Sequence, residues 1–235
     1  MTKHSSVIIE DIEFILDVKA IKNLYIRVKK DGKAYVSVPK RLPQTQIQMT
    51  LLSHLPWVKA QLAKLSSLSI KPELEYQSGE IHCLWGKSYP LLLETDHKKA
   101  EAFMRDDQMI LQSNGDLTLE QKVKLLDNLY RMEIQKIMPT LILQWEETMQ
   151  VQSSEWRLKK MKTRWGTCNT RAKRIWLNTE LAKYPLECLE YVLVHELVHL
   201  LERSHNHRFK AFMTTFLPDW PVRRKLLNSL AMKMY

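Results

Sequence analysis

EYVLVHELVHLLERSHNHRF, residues 190–209, is the stretch on which the reading of this chain turns. From Tyr191 to Leu201 it is apolar except for His195, Glu196 and His199. Polar groups in such a run cost free energy unless something satisfies them. His195 and His199 are four apart, so on a helix they stand one turn apart on one face and can reach a single ion. Glu196 projects about 100° further round, near such an ion without being forced to bind it. That arrangement suits a base that takes a proton from a metal-bound water. A chance pentapeptide would leave two histidines and a glutamate poorly satisfied on a buried helix. The surrounding Val and Leu side chains dry the site and strengthen its electrostatics.

A catalytic zinc needs three protein ligands and one open position. The candidates for the third are Glu202, His205 and His207. Glu202 lies a turn along the same face, where a supporting role suits it better. His205 can return under the ion if the helix ends near Arg203 or Ser204, and His207 falls in the first turn of the next helix. Spacing favours His205 over His207.

Working outward, residues 6–38 read as strands, with Asp31-Gly32 as a two-residue hairpin signal. A helix is predicted over 44–65 with Ile47, Leu51, Leu55, Val58 and Leu62 on one stripe, kinked or broken at Pro56. Residues 66–78 read as a loop. Hairpins follow around Gly86 and around Asp106-Asp107. A long helix comes next, with Val123, Leu126, Tyr130, Ile134, Ile137, Leu141 and Trp145 on its stripe and a kink expected at Pro139. Two short strands, about 156–163 and 174–177, precede the motif helix, which opens at Pro185. A helix over 206–217 and a basic C-terminal helix close the chain. The fold class is α+β. An N-terminal β-rich module with one helix spans 1–115, and a mainly helical module with a small sheet spans 116–235.

The net charge of +10 is unevenly placed. Residues 152–235 hold 16 Lys and Arg against 7 Asp and Glu, and half of those 16 lie between Arg157 and Arg174. A basic run is either a solvated face or the footprint of an anionic partner such as nucleic acid or a nucleotide. Cys83, Cys168 and Cys188 form no CxxC pair, and reduced cytoplasmic thiols are the default. No signal peptide and no membrane span are expected.

Together, RWGTCN (164–169), IWLNTEL (175–181), YPLECLEYVLVHELVHL (184–200) and SHNHRF (204–209) resemble the YgjP-like family of predicted zinc metallopeptidases, which is similar to the SprT-like and Wss-type proteases. The looser likeness of the N-terminal half extends the resemblance over most of the chain. The resemblance implies a zincin-like module holding one catalytic Zn2+ on His195, His199 and His205. It also implies Glu196 as the base and a polypeptide substrate. The chain departs from the pattern with Thr167 for Ser, Ser204 for Asn and Asn206-His207 for Ser-Pro, which leaves His207 as an added substrate contact. TRWGTCN either packs Trp165 in a core or edges the cleft as a substrate-pairing strand, with Arg164 stabilising an oxyanion. Two other hydrolase readings compete, a nucleoside triphosphate pyrophosphohydrolase and a protease acting on DNA-bound proteins. A non-enzymatic nucleic-acid module with a structural metal is disfavoured by Glu196, which such a site would not need.

Overall fold

The computed structural model describes residues 5–29, 31–66 and 74–234. Its backbone contacts divide the chain into two compact units, Met1–Lys71 and Pro72–Tyr235. The sequence had suggested a boundary at 115. The hairpins between 81 and 112 instead pack into the same core as the long helix, through Leu84, Leu91, Met109 and Leu111.

The first unit is one sheet and one helix. Strands β1 (Ser5–Ile9), β2 (Ile12–Lys19), β3 (Tyr25–Val28) and β4 (Ala34–Pro39) lie in the order β1-β2-β4-β3. β2 and β4 run parallel, and the outer pairings are antiparallel. Alternate residues Ile12, Phe14 and Leu16, with Ala34, Val36 and Val38, face the core, as period-two strands must. Helix α1 (Gln44–Ser66) covers that face with Ile47, Leu51, Leu55 and Val58, and Leu62 packs at its margin. The helix continues through Pro56. The hydrogen bond that Pro56 cannot donate would go to the carbonyl of Leu52, a residue that is exposed. The turn at Asp31-Gly32 is longer than two residues. Lys29 N donates to Lys33 O at 3.0 Å, and Gly32 takes φ +73°, the arrangement of a bulged hairpin loop.

In the second unit, β5 (Ile81–Leu84), β6 (Lys87–Glu94), β7 (Glu101–Arg105) and β8 (Gln108–Gln112) form a sheet in the order β5-β6-β8-β7. Helix α2 (Leu119–Met149) starts at a capping box, in which Thr118 accepts from Gln121 N and Gln121 caps Thr118 N. It runs on past Pro139. Its buried stripe shares Leu126, Tyr130, Ile134 and Trp145 with the expected one and adds Leu129, Met138, Ile142 and Met149. The predicted positions Ile137 and Leu141 are only half-buried.

A second sheet has the order β10-β11-β9, from β9 (Glu155–Lys159), β10 (Gly166–Asn169) and β11 (Arg174–Asn178). β9 and β11 pair in parallel. β10, which falls in the TRWGTCN segment read as either core packing or a cleft-edging strand, lies antiparallel on the far side of β11. A 3-10 turn at Thr179–Lys183 leads to α3 (Leu186–Val198), followed by α4 (His207–Phe216) and α5 (Trp220–Met234). The β5–β6 hairpin tip fixes the start of α3. Trp85 N donates to Ala182 O at 2.7 Å. Gly86, at φ +77°, leaves space that a Cβ would take from Pro185 Cγ, 2.7 Å away. Among the described residues no helix is long and apolar enough to cross a membrane.

Candidate metal centre and active site

Helix α3 is buried along most of its length, which is what so apolar a sequence requires. Regular helix stops at Val198, earlier than the expected 203 or 204. Tighter bonds carry the turn onward, from Leu200 N to Leu197 O and from Leu201 N to Val198 O, both 2.9 Å. The chain then reverses through residues 202–206. The Glu202 carboxylate accepts from Ser204 N at 3.1 Å, and the Asn206 side chain caps α4 by accepting from Phe209 N at 3.0 Å. This short, doubly fastened turn brings His205 back to α3.

His195, His199 and His205 consequently converge, with one nitrogen from each within 4.8 Å of the others. His205 Nε2 faces His195 Nε2 at 3.0 Å. Ring centroids are 4.7 Å apart for His199–His205 and 5.0 Å for His195–His199. All three rings rest against Phe209, at 4.7–4.9 Å. His207 and Glu202 are not in the cluster. Glu202 supports it instead, because its backbone carbonyl lies 3.2 Å from His199 Nδ1. A proton on Nδ1 then donates to that carbonyl and leaves Nε2 as a lone pair.

The donor set fits zinc. Three imidazoles leave the fourth tetrahedral position open, and zinc–nitrogen bonds of about 2.0–2.1 Å would set the nitrogens roughly 3.3 Å apart. Burial, reinforced by the neighbouring His199 and His205, holds the His195 imidazole well below its ordinary pKa, down to about 3. It is therefore neutral at physiological pH, as a ligand must be.

Glu196 is 5% exposed. Burial raises its carboxyl pKa to about 8, and the charge of Arg164 pulls the other way. The carboxylate is confined by β10. A Cβ on Gly166 would meet Glu196 Oε1 at 2.7 Å, Glu196 Cγ at 2.8 Å and Val192 Cγ1 at 2.9 Å. Cys168, two residues along the same face, has its thiol pushed up to about 11 by burial and then by Glu196. It stays protonated and is no thiolate ligand.

The approach of β10 to Glu196 depends on Asn178. Its amide donates to the carbonyls of Met161 and Arg164, both at 2.8 Å, and accepts from Met161 N at 3.2 Å. Asn178 N also donates to Trp165 O at 2.8 Å. Loop 161–165 is thus fastened just before Gly166. Phe209, Gly166 and Asn178 were not recognised as site residues from sequence. A glycine opening a short strand does signal close approach of another group, and Phe209 stands four residues beyond His205.

Gly166→Ala is expected to lower kcat by about 100-fold, the order of loss caused by a misplacement near 1 Å. KM and zinc content should change little. Steady-state kinetics on metal-quantified protein checks this, and an unchanged kcat would mean that the carboxylate tolerates displacement.

A domain model of the YgjP-like metallopeptidases matches residues 22–230. Comparison with curated proteins gives no significant match. Among solved structures, the chain is similar to the metallopeptidase zymogen of Methanocaldococcus jannaschii jannalysin. That alignment covers 39% of this chain and 95% of that one, at 20% identity and a TM-score of 0.33.

Proposed function

Because the chain belongs to the YgjP-like metallopeptidase family, we propose that it is a zinc-dependent peptidase with Glu196 as its general base. The observation that carries this reading is the convergence of three imidazole nitrogens within 4.8 Å, with a 5% exposed carboxylate on the residue after the first of them. His195, His199 and His205 would hold the ion. When bound, zinc polarises the substrate carbonyl and lowers the pKa of water.

The chain supplies the rest. Glu196 takes the proton from the attacking water and returns it to the leaving amine. Phe209 and the Val and Leu side chains of α3 exclude bulk water, which strengthens each charge interaction inside. β10 ends its sheet, so its outer edge is free of a partner among the described strands. An extended peptide can add there as a further strand. Arg164 and His207 are the proposed substrate contacts, Arg164 because its charge is felt at Glu196.

The test is cleavage of an unfolded-protein or peptide mixture followed by mass spectrometry. New peptide termini should accumulate with the purified protein, stop with a zinc chelator and return when zinc is restored. Cleavage that persists in chelator would sink the zinc-dependent reading.

A further inference from the structure

Three of the eight basic residues between Arg157 and Arg174 are paired within the fold. Arg157 pairs with Glu155 at 2.6 Å, Lys160 with Asp127 at 2.8 Å, and Arg174 with Glu155. Lys162 and Arg164 make no salt bridge among the described residues. Both line an open depression of about 170 Å³, together with Met161, Thr163, Trp165 and Asn178. The depression ends where β10 begins, at Gly166, which stands against Glu196. A peptide laid along β10 would therefore present a side chain to it close to the reacting bond.

The wall is fixed, and its lining restricts what it can hold. The Asn178 amide is spent on the loop carbonyls, so it offers little to a ligand. What remains is two cations, a hydroxyl, an indole and the Met161 thioether. A volume near 170 Å³ corresponds to roughly six waters. It is well under the roughly 300–1,000 Å³ of sites that enclose cofactor-sized ligands. A short acidic side chain fits this space.

We propose that this depression is a substrate subsite that takes an aspartate or glutamate side chain next to the scissile bond, with Lys162 and Arg164 as its counter-charges. The proposal rests on the peptidase reading above, and its test has a binding arm that is independent of turnover. Zinc-loaded Glu196→Gln protein is titrated with labelled peptides that differ only in carrying Glu, Gln or Lys beside a fixed central bond. The Glu peptide should bind about tenfold more tightly than the Gln peptide, the scale of one charge-assisted contact, and the Lys peptide more weakly still.

That advantage should shrink in Lys162→Gln and in Arg164→Gln, vanish when both are replaced, and fall as salt rises. In the wild type, the same preference should appear mainly in KM. Equal binding of the three peptides would overturn the proposal, as would an advantage that survives Lys162→Gln and Arg164→Gln combined. A single-stranded oligonucleotide that displaces the Glu peptide at comparable concentration would also overturn it, in favour of nucleic acid. If the charge preference holds in binding but no peptide is ever cut, the subsite stands and the peptidase reading falls.

Discussion

Glu196→Gln is expected to lower kcat/KM by roughly 10²–10⁴-fold, the range supplied by a general base, while zinc stays bound. Glutamine keeps the shape that Gly166 and Val192 accommodate, so the loss reports lost basicity rather than lost packing. The same variant makes a second, independent prediction for the metal-free protein. Burial raises the Glu196 pKa from 4.5 to about 8, so the folded state holds a proton that the unfolded chain releases. Between about pH 4.5 and 8 this group therefore makes stability fall as pH rises. Glutamine has no proton to lose. The metal-free variant should thus be more stable than metal-free wild type at pH 8, and the gap should close toward pH 4.5. Chemical denaturation across that range measures it. The depressed His195 contributes an opposite slope at acid pH, common to both proteins, and cancels in the difference.

His205→Ala is expected to weaken zinc binding by at least about 100-fold, since even outer hydrogen-bond partners of metal ligands cost 10–100-fold. His207→Ala should leave zinc affinity nearly unchanged. Both residues are exposed, so neither substitution empties the core, and a difference in zinc content cannot be ascribed to unfolding. Competition against a chromophoric chelator reads the affinities. Equal losses in the two variants would remove His205 from its place in the triad.

What the sequence disclosed and what it withheld have physical reasons. The HELVH spacing needs only helix periodicity to put two imidazoles on one face. The α1 stripe was equally legible, because a single face meets a single sheet. The stripe of α2 was readable at Leu126, Tyr130, Ile134 and Trp145 but not between the last two. There Ile137, Met138, Leu141 and Ile142 offer two apolar tracks, and only tertiary packing chooses Met138 and Ile142. β10 is four residues, Gly-Thr-Cys-Asn, too short and too poor in β-branched or aromatic side chains to stand out. Yet it confines Glu196. The early end of α3 was hidden because no glycine or proline marks it, and the reversal is built from Glu202 and Asn206 side-chain bonds instead. The division of the chain at residue 71 depends on which core the hairpins join, and local pattern does not encode that.

Zinc K-edge absorption spectroscopy on protein loaded with one equivalent of zinc tests the central claim most directly. Three imidazole nitrogens at about 2.0–2.1 Å with one oxygen ligand are expected, falling to two imidazoles in His205→Ala. A shell containing sulfur at about 2.3 Å, or one with three imidazoles that survives His205→Ala, would contradict it.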